Sequence, residues 1–385
     1  MQAVILAAGE GKRIRPLTRS RPKALIPVAN RPIIDYPIEA LLACGIRDII
    51  VVVGYRKEQV IRHLNALDIP VEVVVQEKQL GTANALKAAA DLIHERFLVI
   101  PGDNYIDAAS LSKITKTCPA VLVKEHPYPS HFGVIMARGK YLSAVVEKPE
   151  TSPSFTVSTG IFSFEPDMVA SLDENDLTDA VNRMIGEGKK ITIVPAEDWQ
   201  DAVYPWDLLS MNRKLLEAVL PKKAGNVEAF THLHGKVSIG KNSSIGPNCV
   251  IRGPVVIGEN CTIGPFSCIG PDSSIGSGVK IEPFSLIENT IVMDDVVIGS
   301  SSHVRGSIIG EGTRIGDHTS TVTVPHLIEI GNTPIRGIFG AITGDGVKTG
   351  PFTVFEGAIV GNNVTIHGGR RVAGTLAAKD DLMVV

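Results

Sequence analysis

The chain has 385 residues, of which 44% are hydrophobic and 21% are charged. This balance is that of a packed globular protein of two or three domains, and it excludes a largely disordered chain. Lys and Arg number 38 and Asp and Glu number 41, so the net charge is −3 and a globally basic nucleic-acid-binding protein is excluded as well. Aromatic residues make up only 5%, whereas glycine occurs 37 times. Aliphatic side chains must therefore fill the core, and the chain must turn often.

Neither a membrane segment nor a disulfide framework is predicted. No apolar run approaches the roughly 18 residues that a membrane-spanning helix requires. The first apolar run, at 4–8, meets Gly9 rather than a signal-peptide cleavage site, so we expect a cytoplasmic protein with no membrane partner. No cysteine pair has the CxxC spacing, and we expect reduced thiols that act as small apolar residues. The cysteines are Cys44, Cys118, Cys249, Cys261 and Cys268.

Up to about residue 222, short apolar strands alternate with helical segments. The predicted strands lie at 4–8, 49–53, 71–75, 97–100 and 121–123, and the predicted helices at 32–44, 57–65, 82–94 and 208–220. This alternation predicts an α/β domain with a mostly parallel sheet, whose ligands bind at the carboxyl ends of the strands. We assign this domain to residues 1–222 and a linker to residues 223–236.

From residue 237 the chain follows a six-residue period. Isoleucine recurs at every sixth position, often followed directly by glycine, at Ile239, Ile245, Ile251, Ile257, Ile263, Ile269, Ile275, Ile281 and Ile287. The phase slips near Met293, and the period then returns. A period of six is neither helical nor that of a simple alternating strand, and it is typical of a parallel β-solenoid. We therefore predict a hexapeptide-repeat β-helix over residues 237–385, with the aliphatic residues stacked inside.

The first strand runs into a glycine-rich loop, Leu6-Ala7-Ala8-Gly9-Glu10-Gly11-Lys12-Arg13-Ile14-Arg15-Pro16. Glycines let backbone N–H groups approach a ligand closely, and the arginines add positive charge, as a triphosphate requires. The loop is not a Walker A motif, because no Gly-Lys-Ser/Thr follows. It is not the dinucleotide pattern either, because residue 14 is Ile. The alternative interpretation is a tight strand-to-helix turn that binds no ligand.

A second motif, Arg21-Pro22-Lys23-Ala24-Leu25-Ile26-Pro27-Val28, places a lysine in a stiff segment between two prolines. A fixed lysine close to a glycine-rich loop is a candidate for neutralising charge at a reacting phosphorus. Taken by itself, the same segment is also consistent with an exposed surface lysine.

Together the two motifs resemble those of the sugar-1-phosphate nucleotidylyltransferases, of the glucose-1-phosphate thymidylyl- or uridylyltransferase type. Further segments resemble that family's motifs in the same order. They are QEKQLGTA at 76–83, PGDN at 101–104, FGV at 132–134, EKP at 147–149, STG at 158–160, LTD at 177–179 and YPWD at 204–207. The resemblance covers essentially all of residues 1–222 and implies a Rossmann-like nucleotidyltransferase domain.

The resemblance also implies a role for each matching residue. The expected nucleotide-binding residues are Ala8, Gly9, Gly11, Arg13, Gln76, Gly81 and Thr82. Among these, Gln76 and Gly81 would hydrogen-bond the edge of a pyrimidine. The expected sugar-phosphate-binding residues are Gly133, Glu147, Lys148 and Thr159. The expected catalytic residues are Arg13, Lys23, Asp103 and Asp207.

The resemblance assigns Asp103 and Asp207 to a Mg²⁺ ion, a hard cation that prefers carboxylate, phosphate and water oxygens. The implied reaction has no covalent enzyme intermediate. A phosphate oxygen of the sugar 1-phosphate attacks the α-phosphorus of the nucleotide in line, and pyrophosphate leaves. For both carboxylates, the alternative interpretation is an Asp that caps a helix or stabilises a turn.

The second half resembles the left-handed β-helices of hexapeptide acyltransferases. The whole chain is similar to the bifunctional N-acetylglucosamine-1-phosphate uridylyltransferase/glucosamine-1-phosphate acetyltransferase family, which implies left-handed coils and a homotrimer. Val324-Pro325-His326-Leu327 resembles the segment that carries that family's catalytic base, so acetyl-CoA is an implied second substrate. However, Glu329 stands where the family has Tyr, and the following coil is missing. The alternative is that His326 is a retained corner residue in a solenoid that only mediates oligomerisation.

The sequence thus predicts Mg²⁺-dependent transfer of a nucleoside monophosphate from UTP or dTTP to glucose 1-phosphate or N-acetylglucosamine 1-phosphate. Two alternatives stay open: an added acetyltransferase in the β-helix, and a catalytically inactive regulatory or scaffold subunit. The charged residues that a catalytic centre needs are present, which favours the enzyme. Motifs cannot separate uracil from thymine, which differ by one methyl group, nor identify the sugar.

Overall fold

The computed structural model describes residues 1–330 and 333–376. The chain forms two compact units. The first consists of Met1–Glu10, Arg21–Leu25 and Pro32–Asp201, and the second consists of Gly11–Ser20, Ile26–Arg31 and the chain from Ala202 onward. Within the two described ranges, the model contains no helix with the length and apolarity needed to traverse a bilayer.

Short strands and helices alternate through the first 216 residues. The strands are β1 (Gln2–Ala7), β2 (Pro27–Val28), β3 (Arg31–Pro32), β4 (Ile49–Val53), β5 (Glu72–Val75), β6 (Phe97–Pro101), β7 (Asn104–Ile106), β8 (Ala120–Glu125), β9 (Gly133–Arg138), β10 (Tyr141–Glu147), β11 (Thr156–Phe164), β12 (Thr192–Pro195) and β13 (Trp199–Asp201). The α-helices are α1 (Asp35–Ala43), α2 (Lys57–Ala66), α3 (Thr82–Ala88), α4 (Ala108–Ile114), α5 (Asp167–Ala170), α6 (Leu177–Gly186) and α7 (Asp207–Leu216). Short 3-10 turns lie at Lys12–Ile14, Lys23–Leu25, Ala90–Leu92 and Pro129–His131.

The first unit is built on a nine-stranded sheet of order β5-β4-β1-β6-β11-β8-β12-β10-β9. The first four strands are parallel, as the alternation of strand and helix predicts. All five residues of β4, Ile-Ile-Val-Val-Val, are buried, as expected for a strand covered on both faces. The sheet becomes mixed at β11, which runs antiparallel to both β6 and β8. The α/β fold expected of a Rossmann-like nucleotidyltransferase domain is confirmed.

The second half of the chain is a parallel β-solenoid. Its strands are β14 (Lys222–Lys223), β15 (Asn226–Val227), β16 (His232–His234), β17 (Val237–Ile239), β18 (Ser244–Ile245), β19 (Val250–Arg252), β20 (Val255–Ile257), β21 (Thr262–Ile263), β22 (Cys268–Ile269), β23 (Ser273–Ile275), β24 (Lys280–Ile281), β25 (Leu286–Glu288), β26 (Ile291–Val292), β27 (Val297–Ile298), β28 (His303–Arg305), β29 (Ile308–Ile309), β30 (Arg314–Ile315), β31 (Ser320–Val322), β32 (Val324–Ile330), β33 (Thr333–Phe339), β34 (Ala341–Thr343), β35 (Lys348–Thr349), β36 (Val354–Val360), β37 (Thr365–Ile366) and β38 (Arg371–Leu376).

The periodic isoleucines stack in register inside the coils. Ile239 pairs with Ile257, and Ile257 with Ile275, so one coil takes three hexapeptides. The next coil is one residue shorter, because Ile275 pairs with Val292. This shorter coil is the phase slip that the sequence shows near Met293. The stacked aliphatic side chains are buried and form one continuous core.

The segment 223–236, predicted as a linker, forms most of the first coil instead. Strands β14, β15 and β16 pair in parallel with β17, β18 and β19. Val227 lies opposite Ile245, and Leu233 lies opposite Ile251. These two residues continue the six-residue register but lack the isoleucine–glycine signature, which is why the sequence analysis placed the start of the solenoid too late.

An antiparallel hairpin, β32 and β33, interrupts the solenoid. The parallel pairing of the coils resumes beyond it, since Ile308 of β29 pairs with Ile342 of β34. This insertion accounts for the gap in the sequence period between Ile315 and Val354.

Candidate active site

In the first unit, one lysine ammonium lies between two carboxylates. Lys23 Nζ is 2.8 Å from Asp103 Oδ2 and 3.1 Å from Asp201 Oδ1. The Lys23 side chain is only 12% exposed, whereas the two aspartates are 34% and 21% exposed. The cation is therefore enclosed, while both carboxylates remain partly open to solvent.

A two-stranded ribbon brings the two aspartates together. Strands β7 and β13 pair antiparallel, with Asn104 directly opposite Asp201. Because Asp103 immediately precedes Asn104, this register sets its carboxylate beside that of Asp201. The side chain of Asn104 is buried and donates a hydrogen bond to the carbonyl oxygen of Thr159, at 3.1 Å. That bond fixes the start of the ribbon against β11.

A glycine allows the turn before Asp103 to lie against β1. The N–H of Gly102 donates to the carbonyl oxygen of Leu6 at 2.9 Å. A Cβ at Gly102 would lie 3.0 Å from Ala7 Cβ and 3.1 Å from Ile5 Cγ2, so a larger residue would push the turn away. This close approach sets Asp103 at the carboxyl end of β6, next to the end of β1.

Lys23 begins a single 3-10 turn, Lys23–Leu25. The N–H of Leu25 donates to the carbonyl oxygen of Pro22, and the N–H of Ile34 donates to that of Ala24, both at 3.0 Å. The stiffness predicted from the flanking prolines is thus accompanied by backbone hydrogen bonds on either side of the turn.

The two carboxylates outweigh the effect of burial on the pKa of Lys23. Burial by itself lowers the pKa of Lys23, but Asp103 and Asp201 together raise it above its ordinary value. Lys23 is therefore a cation across the neutral range. A raised native pKa contributes stability that is fully present below the unfolded-state pKa and is lost only as the pH rises through the native one.

Asp207 caps the turn before α7 with one of its carboxylate oxygens. It is the first residue of α7, and its Oδ2 accepts hydrogen bonds from the N–H groups of Val203, at 3.0 Å, and Tyr204, at 2.8 Å. This is the turn-capping role that the sequence analysis gave as the alternative. The carboxylate that shares Lys23 with Asp103 is Asp201, which the sequence analysis missed. Both aspartates lie in one short segment, and only the pairing of β7 with β13 distinguishes them.

Two internal hydrogen bonds shape the turn at Gly11 in the glycine-rich loop. Gly11 adopts a left-handed conformation, with φ 66°, at the start of the 3-10 turn Lys12–Ile14. Its carbonyl oxygen accepts bonds from the N–H of Ile14 and the hydroxyl of Thr18, both at 2.9 Å. Arg13 is exposed, whereas Ile14 is buried and anchors the loop.

Ala8 and Gly9 lead out of β1 into this loop. Ala8 is buried, and its carbonyl oxygen accepts a bond from the N–H of Tyr55 at 3.0 Å. A Cβ on Gly9 would meet no atom within 4 Å, so space is open beside its backbone. This open backbone is consistent with a ligand, but space alone does not require glycine here.

The predicted base-reading residues form a connected group in the first unit. Gln76 is buried, and its Nε2 donates to the carbonyl oxygen of Gly81, at 3.1 Å, and to Asn84 Oδ1, at 2.8 Å. Gly81 has φ 148°, and a Cβ there would lie 2.4 Å from the carbonyl oxygen of Asn175, so only glycine fits. The hydroxyl of Thr82 accepts a bond from the N–H of Leu177, at the start of α6.

The predicted sugar-phosphate residues separate into two groups. Gly133 lies directly opposite Glu147 in the pairing of β9 and β10, and Lys148 forms an ion pair with Glu147. A Cβ on Gly133 would lie 2.9 Å from Val145 Cγ1 and 3.1 Å from Glu147 Oε2. Thr159, by contrast, is buried, and its hydroxyl donates to the carbonyl oxygen of Leu122 at 2.9 Å. The structure therefore gives Thr159 a framework role.

In the second unit, the predicted acetyltransferase base His326 lies on the hairpin strand β32. Its side chain lies next to two glycines of neighbouring strands, Gly357 and Gly374. A Cβ on Gly357 would lie 3.0 Å from His326 Cβ, and one on Gly374 would lie 3.5 Å from His326 Nε2. The histidine is partly exposed.

Comparison with known proteins bears on both halves of the chain. Residues 2–218 match the family model described as nucleotidyl transferase. The chain belongs to the nucleotidyl transferase family. Residues 251–377 match a second model, described as the GMPPB C-terminal domain. The predicted family is confirmed, as is an enzyme class that transfers nucleotidyl groups.

Several curated relatives in this family match nearly the whole chain. It is 36% identical to the bifunctional protein GlmU of Methanococcus maripaludis strain S2, over 95% of this chain and 93% of that protein. It is 33% identical to a bifunctional sugar-1-phosphate nucleotidylyltransferase/acetyltransferase of Sulfurisphaera tokodaii, over 87% and 79% of the two chains. The UTP–glucose-1-phosphate uridylyltransferase AglF of Haloferax volcanii is 33% identical over 56% of this chain and 97% of its own.

A solved structure matches the nucleotidyltransferase part of the fold. It is a crystal structure from Bacillus anthracis, assigned as a glucose-1-phosphate thymidylyltransferase, in complex with sucrose. The TM-score is 0.52 and the identity 26%, with 58% of this chain and 98% of the other covered.

The charge cluster of Lys23 can be tested without any substrate. Asp201→Asn should lower the pKa of Lys23, because it removes a carboxylate that raises it while leaving the ammonium enclosed. At a fixed mildly alkaline pH, Lys23 should then be acetylated faster by acetic anhydride, by about tenfold for each pKa unit. The extent of labelling is read by mass spectrometry, with Lys57, which is paired with Glu77, as the reference in the same digest. Equal Lys23 labelling rates in wild type and variant would contradict the cluster.

Proposed function

We propose that this protein transfers a nucleoside monophosphate from UTP or dTTP to glucose 1-phosphate or N-acetylglucosamine 1-phosphate, with release of pyrophosphate. The observation that carries the proposal is the Lys23 ammonium held by Asp103 and Asp201 at the carboxyl end of the sheet. The names of the relatives support the substrate class, since they include sugar-1-phosphate nucleotidylyltransferases and a uridylyltransferase.

The two carboxylates fit a divalent metal ion. They already hold one cation, the ammonium of Lys23, and they supply the hard oxygen ligands that Mg²⁺ prefers. Among the described residues, no cluster of three or more His, Cys, Asp or Glu side chains forms a metal cage. Mg²⁺ needs no such cage, because substrate phosphates and water complete its ligands. We therefore propose Asp103 and Asp201 as the protein ligands of Mg²⁺, with Asp201 in the role first predicted for Asp207.

The protein has to orient two substrates, the nucleoside triphosphate and the sugar 1-phosphate, which are both anions and repel each other. Gly9, Gly11 and Arg13 bind the triphosphate, while Lys23 neutralises charge at the reacting phosphates. A phosphate oxygen of the sugar 1-phosphate forms a bond to the α-phosphorus as the bond to the pyrophosphate oxygen breaks. Bound Mg²⁺ supplies further neutralisation of phosphate charge. Positioning of this kind lowers a barrier by roughly 7–11 kcal/mol in favourable cases.

The hydrogen bonds of Gln76 support the choice of uracil or thymine. Its amide donates through Nε2 to Gly81 and Asn84, which leaves the carbonyl oxygen Oε1 as its acceptor. Uracil and thymine carry a donor at N3, whereas cytosine carries an acceptor there. We therefore propose that Gln76 accepts from the N3–H of the base, which favours UTP and dTTP over CTP.

On the sugar side, Gly133, Glu147 and Lys148 form the group that we propose binds the sugar phosphate. The ion pair between Lys148 and Glu147 supplies a cation for the phosphate and an acceptor for sugar hydroxyls. Gly133 keeps the backbone clear beside Glu147. Thr159 contributes indirectly, because its carbonyl oxygen fixes Asn104 next to Asp103.

The expected activity is pyrophosphate release from UTP or dTTP in the presence of glucose 1-phosphate or N-acetylglucosamine 1-phosphate. It should require Mg²⁺, stop on addition of EDTA, and be much weaker with CTP. A coupled pyrophosphate assay over each nucleotide and sugar phosphate measures it. If no pair of nucleotide and sugar phosphate gave pyrophosphate release, the alternative of a catalytically inactive regulatory or scaffold subunit would be favoured.

Three matched variants identify the metal carboxylates in the same assay. Asp103→Asn and Asp201→Asn should each lower kcat by about a hundred- to a thousandfold, because each removes charge at the reacting phosphates. Asp207→Asn should keep kcat within a few-fold of wild type, because its carboxylate caps a turn. If Asp207→Asn abolished turnover while Asp201→Asn did not, the original assignment of Asp207 would be right.

Acetyl transfer is the second candidate activity, and it rests on the names of the bifunctional relatives. His326 is the proposed base, with acetyl-CoA and glucosamine 1-phosphate as substrates. If this activity is present, free thiol appears when the protein is incubated with both, and His326→Ala removes it while pyrophosphate release continues. No thiol release by the wild type would leave the β-helix without this activity.

We also propose that the protein is a homotrimer formed through the β-helix. Phe266 and Phe284 stack with ring centroids 5.2 Å apart, yet they are 53% and 58% exposed. Both occupy corners with positive φ, which bulky side chains rarely adopt. Burial against a second copy would remove these rings from water. Sedimentation equilibrium should give the mass of three chains, and a monomer would contradict the proposal.

We place this reaction in the cytoplasm. Its proposed substrates, nucleoside triphosphates and sugar phosphates, are charged metabolites of that compartment. The five cysteines are free thiols in the structure, which is consistent with a reducing environment.

A further inference from the structure

A hydrogen bond in the second unit joins the glycine-rich loop to the solenoid. The segment Gly11–Ser20 contains the second part of that loop and ends at Ser20; we call this segment the loop from here on. The hydroxyl of Ser20 donates to Asp345 Oδ2. The other oxygen of Asp345, Oδ1, accepts from the N–H of Glu311 at 2.9 Å. Asp345 thus uses one oxygen to bond to the neighbouring coil and the other to hold the loop.

An aspartate in another coil shows which of these two bonds belongs to the solenoid itself. Asp294 Oδ1 accepts from the N–H of Ser277 at 2.7 Å, as Asp345 Oδ1 does from Glu311. This coil-to-coil bond is therefore a repeated feature of the solenoid. The bond from Ser20 is an addition to that pattern, and it reaches the part of the chain predicted to bind the triphosphate.

A second connection holds the segment Ile26–Arg31 to the solenoid. Asn212 of α7 is fully buried, and its Oδ1 accepts from the N–H of Ala29, at 2.8 Å, and the hydroxyl of Ser274, at 2.9 Å. Its Nδ2 donates to the carbonyl oxygen of Asp272 at 2.9 Å. Asn30 Nδ2 also donates to a solenoid carbonyl. One buried amide therefore satisfies three polar groups, one on the segment Ile26–Arg31 and two on the solenoid.

Stacked aromatic rings form a third connection. Trp206 stacks on Phe339 of the hairpin, with centroids 5.3 Å apart and planes 3° apart, and on Tyr204, with centroids 5.1 Å apart. Burial raises the pKa of Tyr204, and the nearby Arg13 guanidinium offsets part of that rise. Arg13, the loop's predicted phosphate ligand, is thus close to a stack that ends on the hairpin.

We propose that Asp345 of the solenoid is a positioning residue for the nucleotide, because through Ser20 it holds the loop that carries Gly11 and Arg13. This inference rests on the proposed function. A glycine-rich loop has many accessible conformations when it is not held, and ordering it on binding weakens affinity. A loop that the solenoid has already ordered binds the triphosphate without that loss. The solenoid then serves nucleotide transfer directly, besides any role in oligomerisation or acetyl transfer.

The test removes the loop side of the bond and leaves the solenoid intact. Ser20→Ala should raise the KM for the nucleotide by about tenfold, the order expected for a lost hydrogen bond to a charged group. The kcat should stay within about twofold, because Lys23, Asp103 and Asp201 are unchanged. Ser20→Thr keeps the hydroxyl and should restore the wild-type KM.

Limited proteolysis measures how accessible the loop is to trypsin, and it does not depend on enzyme activity. The loop contains trypsin sites after Lys12, Arg13 and Arg19. Cleavage there should be several-fold faster in Ser20→Ala than in wild type. Asp294→Ala is the matched control, because it removes an equivalent coil bond elsewhere in the solenoid and should change neither loop cleavage nor KM.

A double-mutant cycle ties the effect to Asp345. Adding Ser20→Ala to an Asp345→Ala background should cause no further change in KM or cleavage rate. The proposal is overturned if Ser20→Ala leaves both KM and cleavage at wild-type values, or if its effects add fully to those of Asp345→Ala. A wild-type protein silent in the pyrophosphate assay would overturn the proposed function instead. Trypsin cleavage would then still decide whether the bond holds the loop.

Discussion

An enclosed ammonium shared by two carboxylates is the interaction on which the proposed catalytic centre depends. Removing a lysine and two aspartates from water is costly, and the cost is offset only when their geometry lets them compensate each other. Water still reaches the two aspartates, which are 34% and 21% exposed, whereas the enclosed ammonium depends on them for compensation. The backbone of the first unit therefore has to hold Lys23, Asp103 and Asp201 within narrow limits.

Three features of the backbone hold the lysine and the two aspartates in place. The close approach of Gly102 to β1 fixes where β6 ends, and the β7–β13 ribbon fixes which residue lies opposite Asn104. The 3-10 turn at Lys23–Leu25 fixes the lysine. The first two of these features join segments that are distant in sequence. The charges meet because the sheet topology brings the strand ends together, not because they are neighbours in the chain.

This dependence on topology explains how far the sequence analysis could go. Short apolar runs identified the parallel strands β1, β4, β5 and β6, and the six-residue period identified the stacked isoleucines of the solenoid. The runs are clearest in β1, β4 and β6, because these strands are buried on both faces. Elements without such a pattern were placed less well. Val227 and Leu233 carry the solenoid register without the isoleucine–glycine signature, so the first coil resembled a linker.

The ends of helices were also predicted less well than the strands. The helix predicted at 82–94 ends at Ala88, and a 3-10 turn follows at Ala90–Leu92. No glycine or proline marks that change. The choice between Asp201 and Asp207 was beyond the sequence for a related reason. The pairing of β7 with β13 places Asp201 opposite Asn104, and no sequence motif marks that pairing.

The charge balance of the cluster argues for catalysis over a purely structural role. When ionised, two aspartates and one lysine carry one net negative charge, which by itself would repel a triphosphate. In a purely structural ion pair, one carboxylate is enough to neutralise one ammonium. The second carboxylate would become useful when a divalent cation accompanies the nucleotide, since the metal would then have protein ligands and the lysine could face the phosphates. The proposed reaction therefore explains why the cluster contains a second aspartate.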